Sequence, residues 1–392
     1  MKILMVTGIF PPDRGGPASY VPRMAAALTA RGHRVEVICL SDRLDHDDSA
    51  FAFRVRRILR GTFWPVRIFL TTCAVWRAAL RNEIVFVHGL GAESALAAFF
   101  AACPSVYKIV GDYAWERAVG RGWFAGTIDD YQTCVKSPAL RLSDWIRTFP
   151  LRMARRIIVP SRYLQRIVSG WRIGSGKIQV VYNATPPVSA APSTAGELPA
   201  WSGMTLITVC RLMPWKGVDA LIRLLPQLTE TRLVIAGDGP IRQELEELST
   251  RSGVGERVVF LGDVPHREVA GYMRQADAFV LNSTYEGLPH VVLEAMAAGT
   301  PVIATDAGGT GEVVEHEATG LLVPVGDAAA LRAAVERLWS EPALSRELTA
   351  EASRRLSAHF DFDAMVDATE VILATEAGAA IAAPRAILEE SR

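Results

Sequence analysis

A chain of 392 residues is too long for one ordinary hydrophobic core and calls for two domains of about 150 to 200 residues. Half of it is apolar and 21% is charged, which excludes a disordered chain, and no apolar run approaches the roughly 18 residues that span a bilayer. The net charge of zero conceals a split, because residues 1–185 hold 26 Lys and Arg against 13 Asp and Glu while residues 186–392 hold 16 against 29. The first half is therefore expected to meet something anionic.

The opening MKILMVTGIF is too short for a signal peptide and reads as a first strand, so the chain is expected in the cytoplasm. The loop PPDRGGPAS follows, where Gly15 and Gly16 permit close backbone approach to a ligand, although a plain turn explains them nearly as well. After a helix and the strand RVEVICL, residues 51–82 carry seven arginines and no acid, interleaved with Phe51, Phe53, Phe63, Trp64, Phe69 and Trp76. Residues 141–172 add eight arginines against Asp144. Such interleaving suits an anionic lipid surface or nucleic-acid phosphates, and equally a solvated face over a few buried aromatics.

Strand-like runs recur at 83–88, 105–110, 156–160 and 177–183. Asp112, in YKIVGDYAWERA, follows one of them and is placed to orient or deprotonate an acceptor hydroxyl. His88 also closes a strand, where a lone histidine is more often structural. Residues 186–203 are rich in Pro, Ala, Ser and Thr and read as a linker.

The alternation then restarts, with strands at 204–210, 232–237, 257–262, 278–283 and 301–306. Near-continuous Val/Ile runs separated by helices indicate parallel sheets covered on both faces, hence two doubly wound α/β domains. In such folds ligands sit at the carboxyl ends of the strands. Arg211 and Lys216 occupy the loop after 204–210, where a planar fork and a point charge suit a diphosphate, or are simply two solvated cations. Glu286 and Glu294 flank the start of an apolar helix after 278–283, whose free amides near Gly287 and Leu288 suit an anion. Glu294 needs partners among its apolar neighbours. The two hydroxyls of a ribose would serve, as would a structural arginine. IAGDGP (235–240) reads as a turn and helix start. The five scattered cysteines make no CxxC and the seven histidines no HExxH, so no metal site is expected.

The segment EGLPHVVLEAMAAGTPVIATDAGG, with its two glutamates eight apart, resembles the signature of the retaining glycosyltransferases of family 4, which have the GT-B fold. RLMPWKG, IAGDGP, FLGDV and TGLLVPVGD resemble the motifs of that family in its order, and GGPASYVPRMAAALTARGHRVEVIC resembles its amino-terminal region. The resemblance implies two Rossmann-like domains facing a central cleft. It assigns 1–185 to the acceptor side and 204–375 to a nucleotide-sugar donor domain, with 376–392 packing back onto the first domain. It implies that Arg211 and Lys216 neutralise the leaving diphosphate, that Glu294 holds the ribose, and that Glu286 contacts the sugar. The amides at Gly287 and Leu288 would hold sugar and phosphates, Gly262 to Val264 would meet the base, and Gly16 would approach the diphosphate.

Family members often carry His-Asp where this chain has Gly111-Asp112, so the usual histidine contact to the sugar is missing. The expected donor is UDP- or GDP-linked, the acceptor a glycan or lipid-linked saccharide, and no cofactor, metal or nucleic acid is expected. A nucleotide-sugar epimerase of the same fold and a non-enzymatic nucleotide- or nucleic-acid-binding protein are the alternatives.

Overall fold

The computed structural model describes residues 1–13, 15–185 and 195–379. The chain divides into two compact units, Met1–Tyr182 with the segment from Asp363 onward, and Asn183–Phe362.

The first unit is built on seven parallel strands, β1 (Lys2–Thr7), β2 (Arg34–Ser41), β3 (Arg54–Leu59), β4 (Ile84–Val87), β5 (Ser105–Lys108), β6 (Arg156–Val159) and β7 (Ile178–Val180). Their order is β3-β2-β1-β4-β5-β6-β7. Ile3 to Val6 and Ile84 to Phe86 are fully buried, as expected for central strands covered by helices on both faces. The apolar runs predict all of these strands except β3. That strand lies at the edge, where RVRRIL is half arginine and shows no clear apolar pattern.

The second unit repeats the plan with six strands, β8 (Met204–Val209), β9 (Thr231–Ala236), β10 (Val258–Gly262), β11 (Ala278–Leu281), β12 (Val302–Thr305) and β13 (Leu321–Val323), in the order β10-β9-β8-β11-β12-β13. All their pairings are parallel. Leu206, Leu233, Ile235, Val280 and Ile303 line one core with Leu221, Ile222, Leu331 and Val335 of the covering helices.

One boundary differs from the sequence reading, which ends the donor domain at 375 and returns only 376–392. The helix Phe362–Ala377 belongs from Asp363 onward to the first unit. Its acidic face explains this. Glu370 accepts from Arg31 at 2.8 Å and meets the His33 ring at 2.7 Å, Asp367 pairs with Arg31, and Glu376 pairs with Arg156 at 2.6 Å. These charges find partners in the basic half of the sequence. Residues 186–194 of the expected linker and 380–392 of the expected returning segment lie outside the described residues. Among the described residues no helix is long and apolar enough to cross a membrane.

Candidate functional site

In the second unit the strand order reverses between β8 and β11. Such a switch point sends neighbouring loops in opposite directions and leaves a crevice at the strands' carboxyl ends. The loop after β8 contains Arg211, a short 3-10 turn at Pro214–Lys216, and Gly217, whose φ of 61° favours glycine. A Cβ on Gly217 would meet the Asn282 carbonyl oxygen at 2.2 Å. Two hydrogen bonds lace this loop to the one after β11, from Thr284 N to the Trp215 carbonyl at 2.8 Å and from Asn282 Nδ2 to the Gly217 carbonyl at 3.0 Å. The loop after β12 joins through Gly309 N, which donates to the Glu286 carbonyl at 2.8 Å.

This lacing brings Lys216 and Glu286 together, Nζ to Oε1 at 2.5 Å, with both side chains mostly covered. Arg211 is exposed and makes no ion pair among the described residues. Gly287 and Leu288 are buried ahead of the helix His290–Ala298, with Pro289 as its cap residue. Gly299 ends that helix at φ 76°. Glu294 lies on it between buried Leu293 and Ala295, its own side chain 19% exposed. His266 Nε2 stands 3.7 Å from Glu294 Oε1. His266 opens the helix His266–Arg274, just past Gly262 and Val264 at the end of β10. The sequence holds no signal for this neighbour, because nothing in VPHREV distinguishes a site histidine from a surface one.

The glycines of IAGDGP are explained by close packing. A Cβ on Gly237, at φ 138°, would meet the Cys210 carbonyl oxygen at 1.9 Å, and one on Gly239 the Leu212 carbonyl oxygen at 2.3 Å. Gly262, at φ 66°, receives Gly237 N on its carbonyl at 2.7 Å. The motif thus locks the loops after β8, β9 and β10 together, which agrees with its structural reading.

In the first unit, Gly15 (φ 129°) caps the helix Gly16–Ala30, and a Cβ on Gly16 would meet nothing within 4 Å. Asp112 does not fit the expectation of a base facing an acceptor. It is fully buried and its carboxylate is already saturated. Arg147 Nη1 donates to both oxygens at 2.7 and 2.9 Å, Gln132 Nε2 donates at 3.0 Å, and the amides of Ala114 and Trp115 donate at 2.9 and 3.3 Å. Asp112 caps the helix Tyr113–Gly120 and ties it to the helix Pro138–Met153, so no lone pair is left for a substrate proton.

His88 packs edge-on to Phe86 and beside Tyr20. Burial, with nearby Lys108, holds its pKa well below the usual imidazole range, in keeping with a structural role. Lys108 is itself buried, its ammonium 4.1 Å from the centre of the Tyr20 ring, and burial pushes its pKa down to about 7. Sequence reasoning passes over it, since one lysine at a strand end carries no pattern. Among the described residues no three His, Cys, Asp or Glu side chains are grouped to hold a metal ion.

Residues 202–355 match the family described as "Glycosyl transferases group 1", and residues 15–184 match the "Glycosyl transferase 4-like domain". The chain is 30% identical to a glycogen synthase of Mycobacterium tuberculosis, over 98% of this chain and 97% of that protein. It is 27% identical to a GDP-mannose-dependent alpha-(1-6)-phosphatidylinositol monomannoside mannosyltransferase of the same organism, over 82% of this chain and 85% of the relative. Among solved structures it resembles Anabaena HepE in complex with UDP and glucose, with a TM-score of 0.77, 22% identity, and coverage of 96% of this chain and all of that one. The shared architecture is the GT-B fold of two Rossmann-like domains.

Proposed function

The chain belongs to the group 1, family 4-like glycosyltransferases, and on that premise we propose a retaining, metal-independent hexosyltransferase using a UDP- or GDP-linked sugar. The acceptor is a hydroxyl on a cell-surface glycan precursor or lipid-linked saccharide, met at the cytoplasmic face of a membrane. The observation that supports this reading is the Lys216–Glu286 pair at the switch point, in the loop that also carries Arg211 and ahead of the helix that carries Glu294.

The chemistry follows from these groups. A sugar leaves its nucleoside diphosphate as negative charge builds on the phosphate. Arg211, exposed and without an ion pair among the described residues, and Lys216, oriented by Glu286, offset that charge in the transition state. Glu294 accepts from the ribose hydroxyls through charge-assisted hydrogen bonds. The buried amides of Gly287 and Leu288 face the phosphate and sugar, Glu286 reaches a sugar hydroxyl, and the backbone from Gly262 to Val264 meets the base. The acceptor oxygen attacks the anomeric carbon on the face the phosphate leaves, and its proton passes to the departing phosphate oxygen. No protein base is needed, which accords with the saturation of Asp112.

The test has two parts. A thermal-shift screen against nucleotide sugars identifies the donor by the melting point it raises. NMR of the product formed with and without an acceptor pool then gives the configuration at the anomeric carbon. An inverted product, an epimerised free sugar, or activity lost in EDTA would each refute part of the reading.

A further inference from the structure

The helix Trp64–Ala79 is apolar on two opposite faces. Thr71, Ala74, Val75, Ala78 and Ala79 form the buried stripe that holds it to the first unit. Across the helix, Val66, Phe69, Leu70, Trp76 and, one step beyond its end, Leu80 recur at helical spacings of three, four and seven, and are 46%, 66%, 46%, 38% and 57% exposed. A surface helix needs one apolar stripe to dock, and the second is exposed, with nothing among the described residues covering it. Phe63 and Trp64, at the entry to the helix, are 69% and 62% exposed. The patch continues sideways. The helix Gly91–Phe100 packs beside this one and ends in exposed Phe99 and Phe100, and the helix Pro138–Met153 packs on that and exposes Trp145. So broad an apolar surface marks a partner.

Charge identifies the partner. Residues 51–82 contain no acid. Arg57 and Arg60 are spoken for by Asp48, Asp13 and Asp42. Arg54, Arg56 and Arg77 make no ion pair among the described residues. A second copy docking on the same patch would set these arginines against their own kind across a two-fold axis. An anionic bilayer supplies both what the stripe and what the arginines lack, a hydrocarbon boundary beneath negative headgroups.

We propose that the helix Trp64–Ala79 lies in the headgroup layer of an anionic membrane with its outer stripe inserted and its arginines on lipid phosphates. This goes beyond the transferase reading and does not depend on it.

The experiment is co-sedimentation of the full chain with vesicles of phosphatidylglycerol and phosphatidylcholine, and of phosphatidylcholine alone, at low salt. Binding is expected only with the anionic lipid. Phe69→Ser with Trp76→Ser should lower partitioning at least tenfold with an unchanged melting temperature, since neither residue belongs to the buried stripe. Arg54→Glu with Arg77→Glu, at exposed and unpaired positions, should do the same through charge alone. The proposal is overturned if the chain ignores anionic vesicles, if both double variants bind as the parent does, or if sedimentation velocity shows a dimer that the Phe69 and Trp76 changes dissolve.

Discussion

The two sheets reverse their strand order at corresponding places, between β1 and β4 in the first unit and between β8 and β11 in the second, yet the two switch points are furnished very differently. In the second unit the loops present the exposed Arg211 beside the ion-paired Lys216 and Glu286. In the first, the corresponding strand ends carry Thr7 and His88, and next to them Lys108 turns under the Tyr20 ring, where its Nζ and the His88 Nε2 are buried without a hydrogen-bond partner among the described residues. The nearby carboxylate, Asp112, is wholly consumed by its own neighbours. One topology thus yields a charged crevice in one unit and a closed polar core in the other. Topology supplies the place, and the residues delivered there decide whether it does chemistry or holds a helix.

That contrast can be broken from either side. The largest effect is expected at Asp112. Asp112→Ala leaves the Arg147 guanidinium buried without its carboxylate, and should cost about 3–5 kcal/mol of unfolding free energy by urea titration. Donor affinity of the folded fraction should stay at the parental value. Retained stability with lost turnover would return Asp112 to the chemistry. Next come Arg211→Ala and Lys216→Ala, each expected to slow single-turnover transfer by about a hundredfold, close to 3 kcal/mol of barrier, with little change in melting temperature. Parental rates in either variant would remove that cation from the mechanism. Glu294→Gln should weaken donor binding by calorimetry by roughly 1.5–3 kcal/mol, the worth of hydrogen bonds to a charged acceptor. Equal affinity for a nucleoside diphosphate and its 2′-deoxy analogue in the parent protein would argue against the ribose contact.

The smallest effect sharpens the comparison from the first unit. A buried ammonium without a carboxylate is a liability, so Lys108→Met should stabilise the fold by about 1–3 kcal/mol near neutral pH. The pH dependence has a definite sign. The folded pKa of Lys108, about 7, lies below its ordinary value of 10.5, so between these values the unfolded chain binds more protons. Parental stability therefore rises across that interval, and the advantage of Lys108→Met is greatest below pH 7 and shrinks above it. A pH-independent difference in chemical denaturation would mean that Lys108 titrates normally.

What could be read in advance follows the same division. Apart from β3 and β13, the strands, with the loops after β8 and β11, are legible because local signals announce them: apolar runs, then a glycine, then a charge out of place. The anion-side cations and Glu294 lie within a few residues of such signals. Asp112 was misjudged because its partners Gln132 and Arg147 lie 20 and 35 positions away, and no local pattern says that a carboxylate at a strand end is already satisfied. The helix Phe362–Ala377 was placed on the wrong side of a boundary for the same reason, as its attachment is written in pairs such as Arg31 with Glu370, 339 positions apart. His266 beside Glu294 and the edge strand β3 lacked any pattern to find.

That attachment bears on how the protein is made. Because the first unit takes back the segment after Asp363, the second unit is in effect an insertion within it, and a ribosome synthesises all of Asn183–Phe362 before the acids that meet Arg31, His33 and Arg156. The nascent first unit must wait for those partners until the whole of the second unit has been made, so the first part of the gene is expected to be the last to complete its fold.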